Sequence, residues 1–441
     1  MPPPVAEAPN YFRLKNTPVD DTPIRVALLL PFTNPSPATR AIAEAMQRSA
    51  ELALFDSGNS DIILMPRDDG GSPELAVQAA RQAINDGAEI ILGPLFAQLA
   101  VAVGPVAREQ GVPVISFSSD QNAGGNGVFL LSFQPETEVS RIVSYAAGEG
   151  HNAFAAMVPQ DAYGEKIANE FLAAVSVEGR TITAMERFEP QPSLVGLSAE
   201  RVAISLPDAI LIANGGVMLQ SLAPAVALRS AGDEPNKIAP FEALTTDEDL
   251  NTVLTLNIDQ ALNIPLPTSR DEVLRIDEAL NACKMEEGLD LTEEDPDLAE
   301  EECEEIVTIP IPFRFLGTGL WDNPAVAREP ILQNGWFAAP SPSAWVAFSA
   351  RYFNAYGNEP PRISTLSYDA VSLVSLLSNG IPYQRFTDAA LTDPNGFVGV
   401  DGIFRFNLDG VAERGLAVLE VNNGGFSVVD PAPASFITPG F

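Results

Sequence analysis

The chain has 441 residues, 46% of them hydrophobic, enough for two or three domain-sized cores at about 100–200 residues each. Its 59 acidic against 25 basic side chains leave a formal charge of −34, which sets nucleic acid and anionic lipid surfaces aside as partners. No run approaches the ~18 consecutive apolar residues of a membrane span. The opening Met1-Pro2-Pro3-Pro4 carries neither a basic region nor an apolar core, which fits both a cytosolic chain and a mature exported one. Residues 1–22 read as a Pro-rich extended tether.

From Ile24 short apolar runs alternate with helical patterns. Ile24–Leu30 predicts a strand, ended by Pro31, and Thr39–Asp56 a helix with Ile42, Ala45, Met46, Leu52 and Phe55 near helical period. Ile62–Met65 predicts a strand, and Pro73–Gly87 a helix with Pro at its start and Gly at its end. Ile90–Leu92, Val112–Phe117 and Phe129–Leu131 predict strands, with a helix over Gln98–Gln110. Strand alternating with helix implies a parallel sheet covered on both faces.

A second unit of the same kind begins near Glu136. Thr137–Ala147, Tyr163–Val175 and Met218–Arg229 predict helices; Ala153–Val158, Thr181–Arg187 and Ala209–Ala213 predict strands. Residues 233–310 break the rhythm. Between Cys283 and Cys303 stand ten acidic residues and Lys284, without the D-x-D-x-D-G spacing of a calcium loop, so the segment reads as a solvated acidic insertion. These two cysteines are the only ones in the chain. They are expected to form a local disulfide, which suits an oxidising compartment, against the alternative of two unrelated thiols. After Phe313 the α/β pattern returns: Ser343–Tyr356 and Ser367–Leu377 predict helices, and Gly402–Phe406 with Leu416–Val421 a terminal strand pair.

Nothing in the chain assembles a catalytic constellation. A nucleophile–histidine mechanism would have to use His151, the one histidine, which falls in the loop Gly148–Asn152. There is no G-x-S-x-G elbow and no G-x-x-x-x-G-K-[ST] phosphate loop. Gly124-Gly125-Asn126-Gly127 precedes a strand rather than a helix, and Asp68-Asp69 reads as a loop-capping pair. The expectation is a non-enzymatic protein without cofactor or metal.

Six blocks in order carry a family likeness: IRVALLLPF, PRDDGGSPELAVQAARQAINDGAEIILGPLF with GVPVISFSSD, FQPETEVSRIVSYA, AAMVPQDAYGEKIANEF, STLSYDAVSLVSLL and GVDGIFRFNLDG. Together they resemble the type I periplasmic binding proteins of the leucine/isoleucine/valine-binding kind. GPLFAQLA and the insertion before FRFLGTGLW look similar to the lipoprotein activators of penicillin-binding proteins. The resemblance implies an α/β fold of two lobes, each a mostly parallel sheet flanked by helices. Lobe 1 is expected over 23–134 plus 341–398 and lobe 2 over 135–340 plus 399–432, with the insertion 233–310 in lobe 2. Crossings are expected near Phe133–Glu136, Ala338–Ser341 and Val398–Asp401.

The likeness further implies a ligand cleft. Its residues here would be Ala97, Gln98, Ser118, Ser119 and Asp120 from lobe 1, with Tyr163, Gly319 and Leu320 from lobe 2. In amino-acid receptors hydroxyls and backbone N–H groups hold the ligand carboxylate, and an acid pairs with its ammonium. Ala97 lacks the hydroxyl, Asp120 would repel a carboxylate, and no acid stands in Gly317-Thr318-Gly319-Leu320. A buried ammonium without a partner costs several kcal/mol, so a free α-amino acid is a poor ligand. This favours a periplasmic regulator that activates a peptidoglycan synthase (a penicillin-binding protein), attached to the membrane only through an N-terminal lipid anchor outside this chain. The alternative is the receptor of an ABC permease for amino acids, amides or other small polar solutes.

Overall fold

The computed structural model describes residues 11–14, 23–189, 191, 194–230, 313–382 and 384–436. The chain divides into two compact units, the first Met1–Glu138, Ala338–Val418 and Val428–Phe441, the second Val139–Phe337 and Leu419–Ser427. The insertion 233–310 and the expected Cys283–Cys303 disulfide lie outside the described residues.

In the first unit five parallel strands stand in the order β2 (Ile62–Asp68), β1 (Ile24–Leu30), β3 (Ile90–Leu92), β4 (Val114–Ser116), β5 (Val128–Leu130). β1 is IRVALLL because a central strand is buried on both faces. Val26, Leu28 and Leu30 enter one core, and Ala27 and Leu29 enter the other. Helices α1 (Pro37–Ser57) and α2 (Pro73–Asn85) start alike. Ser36 and Ser72 accept the Thr39 and Leu75 N–H groups, and proline holds the first helical position. α3 (Ala97–Glu109) packs beside α2. Helices α8 (Pro342–Tyr356) and α9 (Thr365–Leu377) cover the side of α1, where Leu366, Ala370 and Val374 join the β1 core.

The second sheet has seven strands in the order β15 (Gly425–Asp430), β14 (Ala417–Asn422), β10 (Trp336–Ala339), β9 (Arg314–Gly317), β8 (Ala209–Ile212), β6 (Ala153–Pro159), β7 (Thr181–Phe188). Helix α4 (Pro135–Gly148) leads into β6, α5 (Ala162–Val177) and α6 (Val195–Ile204) connect β6, β7 and β8, and α7 (Gly216–Ser230) follows β8.

Three readings of the sequence need correction. The chain leaves the first unit for the last time after Val418, not near Val398–Asp401, so residues 399–418 belong to the first unit. Gly402–Phe406 and Leu416–Val421 are not a pair. β12 (Gly402–Phe406) sits between β11 (Phe397–Gly399) and β13 (Ala412–Arg414) in a small antiparallel sheet, while β14 lies beside β10. The reason is the turn at 407–411. Asn407 and Val411 are bridged there, and Gly410 has φ +84° with its backbone against the Val128 carbonyl, so the chain doubles straight back. α6 was not expected at all. It starts at Leu194 with no side-chain cap, so the usual helix signal is missing.

Candidate functional site

The residues singled out from the sequence fall into two sets, one per unit, each at the carboxyl end of parallel strands. Open α/β sheets hold ligands at such edges.

In the second unit the set is built by three strand ends. After β6, Asp161 caps α5 by accepting the Gly164 N–H at 2.8 Å. Gly164 lets the helix start lie on the strand end, since a Cβ there would stand 1.8 Å from the Pro159 carbonyl oxygen. This fixes Tyr163 in the first turn, and its hydroxyl meets Thr318 Oγ1 at 3.0 Å. Thr318 follows β9 and is fully buried. Gly319–Trp321 then makes one 3₁₀ turn. Trp321 is buried, lies against Gly317, and donates Nε1–H to the Asn214 carbonyl at 3.1 Å, just beyond β8. Leu320 is left 48% exposed, with its backbone against Gly215. The structure thus gathers Tyr163, Gly319 and Leu320 around Thr318, over a floor of Trp321. Thr318 and Trp321 were not singled out from the sequence. Thr318 stood in the stretch noted for lacking an acid, where nothing marked the hydroxyl as Tyr163's partner.

The first-unit set is arranged by the loops after β3 and β4. Gly93 has φ +100°, and a Cβ there would reach within 2.0 Å of the Leu29 carbonyl oxygen, so only glycine fits. Ser116 Oγ donates to the Pro94 carbonyl at 2.8 Å and accepts the Ser118 N–H at 3.2 Å, which ties the two loops together. Ser118 is buried, and its Oγ accepts the Asp120 N–H at 3.1 Å. Asp120 Oδ1 accepts from Asn122, capping the 3₁₀ turn Gln121–Ala123. Ala97 opens α3, Gln98 beside it is exposed, and so is Ser119. Ser118 and Asp120 therefore shape the loop as well as line the edge, and Asp120's charge is engaged with its own turn.

Asp68 and Asp69 lie at the end of β2. Asp68 accepts from the Thr33 backbone and hydroxyl and from the Gly70 N–H, as a loop-capping residue does. Asp69 is buried and accepts the Gly71 N–H at 2.9 Å. Burial pushes its carboxyl up to about 6, the Gly71 hydrogen bond opposing and the Asp68 charge adding. His151 stands in its loop 3.6 Å from Asp208, with its ring edge-on to Trp336. Among the described residues no group of three His, Cys, Asp or Glu side chains could hold a metal ion.

The profile of the periplasmic binding protein family matches residues 23–263. The chain belongs to that family. It is similar to the Leu/Ile/Val-binding protein BraC3 of Rhizobium johnstonii, 22% identical over 254 residues, which are 54% of this chain and 68% of that one. An uncharacterized protein of Rickettsia prowazekii, RP748, is 23% identical over 181 residues, 41% of this chain and 47% of that one. The chain thus spans about half the length of that relative. Among solved structures, a putative branched-chain amino acid ABC transporter protein from Rhodospirillum rubrum superposes with a TM-score of 0.66 at 17% identity, covering 92% of this chain and all of that one. A solute-binding protein of Rhodopseudomonas palustris BisB5, in complex with 3,4-dihydroxybenzoic acid, gives a TM-score of 0.55 at 14% identity, covering 93% and 97%. These likenesses show the type I fold, with parallel sheets flanked by helices, that the sequence blocks imply.

Proposed function

We propose that this family member is the solute receptor of an ABC importer, binding and releasing a small molecule in the periplasm without chemistry. The observation that carries the reading is the Tyr163–Thr318 hydroxyl pair at the carboxyl ends of β6 and β9, beside a half-exposed Leu320. The half-buried Tyr163 hydroxyl, held by the buried Thr318, offers a hydrogen bond and Leu320 an apolar face, and the Gly317–Leu320 stretch adds no carboxylate for an ammonium. The solute is therefore a small polar or carboxylic molecule other than a free branched-chain amino acid. BraC3 is named as a Leu/Ile/Val-binding protein and the two solved structures as ABC transporter proteins, which favours this reading over the activator of a peptidoglycan synthase suggested by the insertion. The permease and the solute are the partners it implies.

Calorimetry on ligand-stripped protein, with leucine, isoleucine, valine, simple amides, benzoate and 3,4-dihydroxybenzoate as probes, tests it. The expected result is binding of a carboxylate or amide probe, with each amino acid weaker by at least the ~30–150-fold that 2–3 kcal/mol represents. Leucine, isoleucine or valine bound below about 10 μM overturns the solute assignment. No binding by any probe, with a penicillin-binding protein retained on the immobilised chain, overturns the receptor reading in favour of the regulator.

A further inference from the structure

The first unit buries a cluster of three charged side chains that the solute edge does not use. Asp369 on α9 and Asp401 in the turn between β11 and β12 are both buried, and so is Arg414 of β13. Asp401 is the better paired of the two. Arg362 Nη2 forms an ion pair with its Oδ1 at 2.9 Å, without hydrogen-bond alignment, and the Thr365 hydroxyl donates to its Oδ2. Asp369 is served on one side only. The Val400 N–H donates to Oδ1 at 2.7 Å, while no hydrogen bond reaches Oδ2. Gly399 lies directly on this carboxyl, where a Cβ would come within 2.3 Å of Oδ2. The one cation facing Asp369, Arg414, stands off. Its Nη1 is 3.9 Å from Oδ2, and its Nε is spent on the Ser132 carbonyl at 3.2 Å. The guanidinium lies over the rings of Phe133 and Phe404, 5.3 and 5.4 Å from their centroids. Two carboxylates thus share a dry site in which one cation is committed to Asp401 and the other is held mostly elsewhere.

We propose that Asp369 is a proton-binding site whose proton works as a latch, holding the β11–β12 hairpin to α9 when bound and loosening it when released. With Asp369 neutral, Asp401 is the only negative charge in the cluster and has Arg362 beside it. When the proton leaves Oδ2 for solvent, a second buried carboxylate appears beside the first with one oxygen unserved, which is the costly arrangement. The segment that relaxes it is the one lying on the carboxyl, Val398–Asp401. Burial first, then the Asp401 charge, push the Asp369 carboxyl up to about 7, against Arg414 and the Val400 and Asp401 N–H groups. A carboxyl raised by folding gives stability that is full below its ordinary value of 3.8 and is lost as pH rises to about 7.

Native-state hydrogen exchange on the full chain tests the latch. Protection factors of the Val400 and Ile403 amides, corrected for intrinsic exchange, should fall about tenfold per pH unit between pH 5 and 7 if opening releases one proton. In Asp369→Asn, which keeps a carbonyl for Val400 and cannot ionise, they should be flat over the same range. A flat wild type, or an unchanged slope in the variant, overturns the proposal. Where the variant does not fold, the wild-type Asp369 carboxyl is followed by carbon NMR. A midpoint between pH 6 and 8 supports the latch, and one below 5 overturns it.

Discussion

Gly317→Ala isolates the packing that holds the second-unit edge together. An added Cβ at residue 317 would stand 2.2–2.6 Å from three atoms of the Trp321 indole, well inside contact distance. Trp321 cannot turn away freely, because it is fully buried, its Nε1–H is held by the Asn214 carbonyl, and Phe337 lies 6.3 Å from it, centroid to centroid. Overpacking of this kind costs about 1–3 kcal/mol. For a unit of about 200 residues each kcal/mol lowers Tm by roughly 2–4 °C, so a fall of about 2–12 °C is expected in the transition of the second unit. Thermal denaturation followed by near-UV dichroism reads it. The cause is checked by repeating Gly317→Ala in a Trp321→Leu background. That background is itself less stable, but it leaves room for the methyl group, so the added cost there should drop below about 0.5 kcal/mol. Equal costs in both backgrounds, or no cost in the wild type, refute the claim that residue 317 is glycine to seat the indole.

Tyr163→Phe and Thr318→Val should each weaken a bound carboxylate or amide probe by about 1 kcal/mol, roughly fivefold, and the double variant should lose less than the sum, as two ends of one hydrogen bond do; additive losses by calorimetry would separate the two hydroxyls. Asp69→Asn should flatten part of the pH dependence of stability: the buried acid is raised from 3.8 to about 6, so its contribution is full below about pH 4 and is lost as pH rises through 6. Urea melts at pH 4, 5, 6 and 7 read this, and a slope of the opposite sign or one unchanged in the variant counts against it. Leu28→Ala, in the doubly covered strand β1 where Leu28 is fully buried, should cost about 2–5 kcal/mol in the first unit; a loss under 1 kcal/mol in a denaturant melt would contradict the core assignment.

Period and punctuation made most elements readable. Ile24–Leu30 and Ile90–Leu92 come out residue for residue, and Pro73 and Gly87 bracket α2 through fixed φ and left-handed backbone. Two kinds of feature stayed hidden. α6 has no cap and exposes Leu197 and Ile204 at 69% and 70%, so its pattern lacks the polar face that marks an amphipathic helix. The partner of β12 is decided by backbone geometry at Gly410 and not by hydrophobic pattern, because both candidate strands read alike. At the site, Tyr163 could be named from a motif. Its contact with Thr318 joins residues 155 positions apart, and no local signal reports such a distance. The same holds for Arg414 and Asp369, whose mutual burial depends on β13 lying where the terminal pair was expected to be.

The first unit is written in three pieces of chain, and its main core joins two that lie far apart, which sets an order of events at the ribosome. Ser367 donates to the Met46 carbonyl across 321 positions, Tyr356 to the Arg48 carbonyl, and Tyr368 to Asp56. Leu366, Ala370 and Val374 close the core that Val26, Leu28 and Leu30 open. At about 5–20 residues per second, the apolar face of β1 waits roughly 15–70 s for the residues of α9 that complete its core. The part of the protein made first is thus finished only late in synthesis. A nascent chain stopped before residue 365 has Met46 and Ala50 of α1 on this core but not Leu366, Ala370 and Val374, and the apolar surface left open invites a holding chaperone; the second unit waits likewise for residues 419–427.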